Sequence, residues 1–359
     1  MMRTKKNLLK YNNYQEYLKI WIDILTPKQL LFSEAIVEKL GKKHDLLSTS
    51  RQYDEVSKLA KIRKFQLECI GKYGGREKKD KLEASIDRIE KLLVRIKKFS
   101  PDLIISFCSP DAARISFGLG IKHIAFCDSP HANAVMRLTL PLIQKLLIPN
   151  IIPKNEFSKF GIDKKNIISY KAIDASVTIK RKIGKKTKLP FKNNQRKNIL
   201  IRLEEDQAAY ALKSKKNIPI VKKILEIFED ENIVILSRYT EQIKEFRKEL
   251  GKKSEIIKMS YDGKYLLKNT NVFIGSGGTM TAESALLGIP TISYNAVPNI
   301  VENYLVKKKL IKRETNPDKV CNYITKIFKE SNKKNTNRVE KIISEMEDPI
   351  QKLIKIIEE

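Results

Sequence analysis

The chain has 359 residues, 42% of them hydrophobic, with a formal net charge of +29, 13 prolines, 14 glycines and 4 cysteines. That length exceeds one ordinary core and predicts two domains, while the composition excludes a disordered, collagen-like or disulfide-scaffold protein. No apolar run approaches the ~20 residues of a membrane-spanning helix, and the basic N-terminus lacks an apolar stretch with a small-residue cleavage site, so a cytoplasmic protein is expected.

Residues 1–17 show no sustained apolar period and read as a surface arm. From residue 18, β-rich runs at 19–24, 44–48, 65–70, 102–107, 123–127, 145–148 and 166–170 alternate with helical patterns. Between them, 81–99 reads as an amphipathic helix. Leu82, Ile86, Ile89, Leu93 and Ile96 recur at three- and four-residue steps, and Ser100-Pro101 ends it. The basic, polar stretch 181–197 reads as a linker. The alternation then restarts, with strands at 198–203, 232–236, 254–257, 271–274 and 291–294 and helices at 221–229, 241–250, 279–287 and 317–329. The tail 336–359 is helical with a break at Asp348-Pro349. Strands alternating with helices predict an α/β protein of two tandem Rossmann-like, doubly wound parallel sheets, over 18–180 and 198–335, with a cleft between them.

Cys69, Cys108, Cys127 and Cys321 lie far apart and mostly in apolar runs, which predicts buried free thiols rather than a zinc or disulfide set. The lysines are dispersed, with no aromatic-interleaved basic motif, so nucleic acid is not the expected partner. Two readings of the charge remain: solvated helix faces, or peripheral contact with an acidic membrane surface on the cytoplasmic side. The second suits an enzyme acting on a lipid-linked or glycan acceptor.

The stretch VFIGSGGTMTAESALLGIPTI, 272–292, carries the most chemistry. A β-run ends in Gly275-Ser276-Gly277-Gly278, and Thr279 opens a helix that holds Glu283. Glycines let backbone N–H groups approach a ligand, and a helix N-terminus favours negative charge. The loop also reads as an ordinary strand-to-helix turn, and Glu283 as a solvated helix carboxylate. The G-x-G-x-x-G spacing and a Walker lysine are both missing, which disfavours NAD and ATP by those routes. Arg202 ends the first strand of the second half, where it would clamp a diphosphate or pair with Glu204, Glu205 and Asp206; Arg238 is a weaker candidate of the same kind. Asp23 ends the strand IWID and is expected to face the cleft as a base or sugar ligand, or else to brace a loop. Asp128 and His131 follow the strand HIAFC and form a candidate base–orienter pair, with Arg137 beyond as an acceptor ligand or brace. Ser109-Pro110-Asp111 is a further cleft-side cluster. No acidic D-x-D motif appears, so neither metal nor cofactor is expected.

Several pieces together carry a resemblance: KIWIDILTP, IGKYGG, FCSPDAARISFGLGI, DSPHANAVMRLTLPL, ILIRLEEDQAAY, the 272–292 stretch and MEDPI. From about residue 19 to 357 the chain resembles the archaeal DUF354 family. More widely it is similar to GT-B glycosyltransferases and non-hydrolysing UDP-N-acetylglucosamine 2-epimerases. The resemblance implies that Ser276, Gly277 and Gly278 hold a nucleoside diphosphate and Glu283 its ribose. It also implies a C-terminal helix, within 336–359, that returns to the first domain. Two departures stand out. The relatives' first loop reads N-P-P-H-V-H, where this chain has Thr26-Pro27-Lys28-Gln29-Leu30-Leu31. Their P-E-E-x-N-R segment corresponds to Ala132-Asn133-Ala134-Val135-Met136-Arg137, which keeps the arginine and lacks the carboxylates. The expected function is a metal-independent glycosyltransferase using a nucleotide sugar, UDP-linked by the resemblance. The alternatives are a UDP-N-acetylhexosamine 2-epimerase or a protein that only binds the nucleotide sugar. A homodimer is compatible with each.

Overall fold

The computed structural model describes residues 17–75, 77–184, 188–192, 195–203, 217–237, 243–244, 246–248, 255–258, 261–294, 299–330 and 333–359. The arm 1–17 apart from Tyr17, Arg238, the acids at 204–206 and much of the helix expected at 241–250 lie outside the described residues.

The first sheet has seven strands, β1 (Lys19–Ile24), β2 (Asp45–Gln52), β3 (Glu68–Lys72), β4 (Leu103–Ser106), β5 (Lys122–Phe126), β6 (Lys145–Pro149) and β7 (Ile167–Tyr170). Its helices are α1 (Pro27–Leu40), α2 (Asp54–Arg63), α3 (Lys78–Phe99), α4 (Pro110–Leu119), α5 (Asn133–Thr139), α6 (Asn155–Ser158) and α7 (Ala175–Thr178). The second sheet has six strands, β8 (Asn198–Arg202), β9 (Asn232–Ser237), β10 (Glu255–Lys258), β11 (Val272–Gly275), β12 (Thr291–Ser293) and β13 (Lys312–Arg313). With it come α8 (Asn217–Ile227), α9 (Gly263–Lys268), α10 (Thr279–Leu286), α11 (Ile300–Lys307), α12 (Pro317–Lys329), α13 (Lys333–Ser344) and α14 (Pro349–Glu358). Both sheets are parallel, in the orders β3-β2-β1-β4-β5-β6-β7 and β10-β9-β8-β11-β12-β13.

Helix starts are written locally. Thr26, Ser109, Asn316 and Asp348 each accept a backbone N–H from the first turn of a helix that opens with proline. Strand order reverses between β1 and β4 in one sheet and between β8 and β11 in the other. Crevices at such reversals, beyond the carboxyl ends of the strands, are where open α/β sheets take ligands. Asp23 and Ser109 flank the first reversal; Arg202 and the 275–278 loop flank the second.

Strand parity divides the first core. Ile20, Ile22 and Ile24 point to one face with α1 and α2, and Ile350, Leu353 and Ile356 of α14 pack into that same core. Trp21 points to the other face, against Leu92 and Ile96 of α3 and Ala112 and Ile115 of α4.

Two sequence expectations are corrected. In α3 the sheet-facing line is Ser85, Arg88, Leu92 and Ile96, while Leu82, Ile86 and Leu93 are exposed. The helix is rotated because Arg88 must reach the carboxylates beneath it, as described below. Among the cysteines, Cys69 lies on edge strand β3 and is exposed, whereas the other three are buried; all four are free thiols.

Gly71 shows how tightly α3 is held. Its φ is +75°, and a Cβ there would sit 2.7 Å from Cβ of Arg88. Gly75, with φ +65°, has nothing within 4 Å of a Cβ. Gly71→Ala is therefore expected to cost about 2–4 kcal/mol, from left-handed strain plus the collision, and Gly75→Ala only about 1 kcal/mol. Urea unfolding followed by fluorescence of Trp21, the chain's single tryptophan, measures both; equal costs would contradict the packing account.

Candidate functional site

In the second domain, β11 runs beside β8, pairing Phe273 with Leu200 and Ile274 with Ile201, so the 275–278 loop leaves the sheet next to Arg202. The loop is folded around its glycines. A Cβ on Gly275 would lie 2.6 Å from Thr281 Oγ1 and 2.7 Å from the Phe273 ring. Gly277 takes φ +82° and donates its N–H to Thr281 Oγ1 at 3.2 Å, while Asn299 Nδ2 donates to the Gly277 carbonyl at 3.2 Å. Gly278 is the N-cap of α10, which has no side-chain cap, and the space at its Cβ position is open. Ser276 and Thr279 stand on either side of these two glycines. Among the described residues, then, the first turn of α10 has no side-chain cap and the position beside Gly278 is open, an arrangement suited to an anion.

Glu283, in the middle of α10, is buried rather than solvated. Its Oε1 accepts from Arg181 Nη1 at 2.9 Å, and the same nitrogen donates to the Thr178 carbonyl. Arg181 Nη2 lies 3.7 Å from Asp262 Oδ1. Asp262 caps α9, accepts the Gly184 N–H at 2.9 Å and pairs with Arg63 Nη1 of α2 at 2.6 Å; Arg63 Nε in turn pairs with Glu34 of α1 at 2.7 Å. Burial would raise the Asp262 carboxyl, but the Gly184 N–H and the two guanidinium groups hold it below the usual value. A continuous ionic chain, Glu34–Arg63–Asp262–Arg181–Glu283, therefore joins the two domains. Arg202 joins it in kind. It is buried, donates from Nη1 to the Ser237 carbonyl at 3.2 Å, and its Nη2 lies 3.5 Å from Glu55 Oε1 of α2.

In the first domain, Asp23 does not face the cleft. It is 1% exposed. Arg88 Nη2 donates to its Oδ1 at 2.6 Å, Thr49 donates to Oδ1 at 2.7 Å and Ser109 donates to Oδ2 at 2.6 Å. Burial would raise this carboxyl; Arg88 and the hydroxyl donors hold it lowered. Parity explains the position, since Asp23 shares the inner face with Trp21, whose Nε1 donates to Thr49. Asp111 belongs to the same cluster, accepting from Arg88 Nη1 at 2.8 Å and Ser85 at 2.5 Å. The geometry of Asp23, Ser109 and Asp111 is that of a brace.

Asp128 lies in a second cluster. The Lys28 ammonium is 2.5 Å from Asp128 Oδ2 and 2.6 Å from Asp174 Oδ2, and Tyr170 donates to Asp174 Oδ1 at 2.5 Å. Burial acts against charge on all three groups. The two carboxylates nonetheless hold the Lys28 ammonium above its ordinary pKa, and Lys28 holds Asp128 below. At Asp174 burial dominates and the carboxyl is raised. His131 is exposed beside Asp128, and partial desolvation lowers it against the pull of that charge. Two neighbouring carboxyls driven apart in pKa, beside a neutral imidazole, have the composition of acid–base machinery. Arg137 is exposed on α5.

Sequence reasoning missed Lys28, Asp174, Arg88, Arg181 and Asp262. Only Lys28 left a visible signal, in the departing first loop. Among the described residues no group of three or more His, Cys, Asp or Glu has metal-holding geometry, and no helix is long and apolar enough to cross a membrane. An open groove of about 470 Å³ lies elsewhere, between β3 and α3, lined by residues such as Cys69, Lys91 and Arg95.

Residues 18–359 match a family model described as a protein of unknown function, DUF354. The uncharacterized protein MJ0665 of Methanocaldococcus jannaschii is 30% identical over 317 residues, spanning 86% of this chain and 91% of that protein. The structure of UDP-GlcNAc 2-epimerase from Neisseria meningitidis bound to UDP-GlcNAc superposes with TM-score 0.67 at 14% identity, covering 91% of this chain and 98% of that one. The spinosyn forosaminyltransferase SpnP superposes with TM-score 0.62 at 13% identity, covering 96% and 100%. The fold is GT-B-like, shared by epimerases and glycosyltransferases.

Removing Arg88 would strand two buried carboxylates, so Arg88→Met is expected to cost about 3–5 kcal/mol in urea unfolding, far more than an exposed lysine substitution. His123 gives a pH signature. It is buried between Ser106 Oγ at 2.8 Å and Ser116 Oγ at 3.0 Å, and burial takes its pKa down to about 3. The unfolded chain therefore binds this proton first as pH falls. Stability should drop below about pH 6.5 by roughly 1.4 kcal/mol per pH unit. Unfolding free energies between pH 7 and 5 should approach this slope in the native chain and lose most of it in His123→Gln, the lowered His44 and His131 leaving a smaller remainder of the same sign.

Proposed function

The chain belongs to the DUF354 family, and we propose that it is a nucleotide-sugar enzyme, acting first of all as a metal-independent glycosyltransferase. The observation that carries this reading is the open, uncapped start of α10 behind the 275–278 loop, with Glu283 fixed one turn inside and a charged cluster at the strand ends of the facing domain. In the proposed complex the loop N–H groups, Ser276 and Thr279 hold the diphosphate of the donor, and Arg202 adds positive charge as the diphosphate leaves. Arg181 donates to one oxygen of Glu283, and in the proposed complex the other oxygen accepts from a ribose hydroxyl. UDP is the favoured nucleotide on the strength of the UDP-GlcNAc bound by the Neisseria neighbour.

Across the cleft, His131 is the proposed base for the acceptor hydroxyl, with Asp128 orienting it and stabilising the imidazolium. Lys28 keeps Asp128 ionised. Asp23, held inside its brace, supports the sheet edge rather than the reaction. The donor is a substrate, and no cofactor enters this scheme. Domain closure over the reacting sugar would use the seam already spanned by Arg202–Glu55 and Arg63–Asp262.

A second reading, a 2-epimerase, is favoured by one observation. Asp128 and Asp174 are two carboxyls with opposed pKa shifts bridged by Lys28. Such a pair would replace the proton-transfer carboxylates that the 132–137 segment lacks. Retention of solvent deuterium at C2 of the recovered nucleotide sugar would identify this reaction, whereas its absence under binding conditions would exclude it.

Calorimetry with UDP, UDP-N-acetylglucosamine, GDP-sugars and dTDP-sugars tests the shared premise. At least one is expected to bind, and Glu283→Gln is expected to weaken it about tenfold or more, as for loss of a charge-assisted hydrogen bond. Failure of the whole panel to bind, or an unchanged affinity in Glu283→Gln, would falsify the nucleotide-sugar reading.

A further inference from the structure

The segment IGKYGG, 70–75, has no part in the reading above, and it folds beside Arg51. The Arg51 guanidinium lies 4.7 Å from the Tyr73 ring centroid, and the Tyr73 ring lies 5.0 Å from that of Tyr53. Nε of Arg51 is buried without a hydrogen-bond partner, and among the described residues no carboxylate pairs with this arginine. The two nearby acids, Asp23 and Asp111, are already held by Arg88. Burial, and then the like charge of Arg88, pull Arg51 below the ordinary arginine value. A guanidinium remains charged at neutral pH, so this is a desolvated cation with an unmet donor, stacked on an aromatic face and offset only in part by the charges of Asp111 and Asp23.

Its place is as telling as its state. Arg51 stands at the carboxyl end of β2, the edge at which parallel sheets take ligands. It is half-buried and so remains within reach of a ligand. It also borders the domain seam. Tyr53 donates to Glu55 Oε2 at 3.0 Å, and Glu55 Oε1 faces Arg202 of the second domain at 3.5 Å.

We propose that Arg51, backed by Tyr73, binds a carboxylate or phosphate group on the molecule that the first domain takes as acceptor. The planar guanidinium fork matches either anion, and the net charge of +29 favours an anionic ligand. The term acceptor rests on the function proposed above; the anion site itself does not.

Calorimetry on the full chain with glucose 6-phosphate, glucuronate and neutral glucose, and separately with UDP, tests this. At least one anionic sugar is expected to bind about tenfold or more tightly than glucose, and the tighter of the two identifies phosphate or carboxylate as the group. Arg51→Gln and Arg51→Lys should each weaken that sugar about tenfold to a hundredfold while UDP affinity stays within about twofold. In the native protein, the assigned ¹⁵N signal of Arg51 Nε–H should shift on saturation with the anionic sugar, which decides the matter even if a variant fails to fold. Equal binding of glucose, no binding of any sugar, undiminished anionic affinity in Arg51→Gln, or an unmoved Nε–H signal would each overturn the proposal. Anionic binding through Arg51 without any UDP binding would keep it and remove the nucleotide reading instead.

Discussion

One buried guanidinium organises the first domain. Arg88 comes down from α3 and meets Asp23 at the end of β1, Asp111 on α4 and the Ile70 carbonyl on β3. A charge buried in this way is tolerated only with its donors filled, and removing a partner is far costlier than the pair is worth. The cluster therefore dictates geometry. It sets the rotation of α3, exposes an apolar stripe that periodicity alone would have placed inside, and requires a residue without a side chain at Gly71. Through Ser109 it fixes the loop after β4, and through Thr49 it ties β2 to Trp21.

A second set of charges does for the pair of domains what Arg88 does for one. The chain from Glu34 through Arg63, Asp262 and Arg181 to Glu283 crosses from α1 and α2 to α9 and α10. Glu283 is thereby tied to the seam as well as to the loop in front of it. Arg202 and Glu55 add a parallel contact. The residues proposed above to touch a nucleotide are also ones that pair across the two sheets, so in that proposal ligand binding and domain posture would share the same side chains.

The facing half holds a dense charged cluster of its own. Lys28 stands in the first loop, on the first turn of α1. It draws Asp128 and Asp174 together from the ends of two different strands. An ammonium between two carboxylates of opposed pKa tendency, beside His131, offers proton-transfer groups without the expected glutamates.

Much of this was legible in the chain itself. Apolar runs and their alternation with helices specified two parallel α/β halves, because strand and helix periods are local properties. Proline after Thr, Ser, Asn or Asp marked helix starts, and Gly275-Ser276-Gly277-Gly278 marked a backbone able to meet an anion. Pairings of charge were not legible. Asp23 could equally have faced solvent or the interior until β1 parity and Arg88 were known, 65 residues apart in sequence. Arg181 looked like one more linker cation, and nothing in the chain tied it to Glu283, the candidate ribose ligand, until the fold set them 2.9 Å apart across 102 residues. The sequence by itself determined which groups stand at the ends of strands; only the tertiary structure decided which of them neutralise one another, because that choice depends on distances between segments remote along the chain and on the water excluded between them.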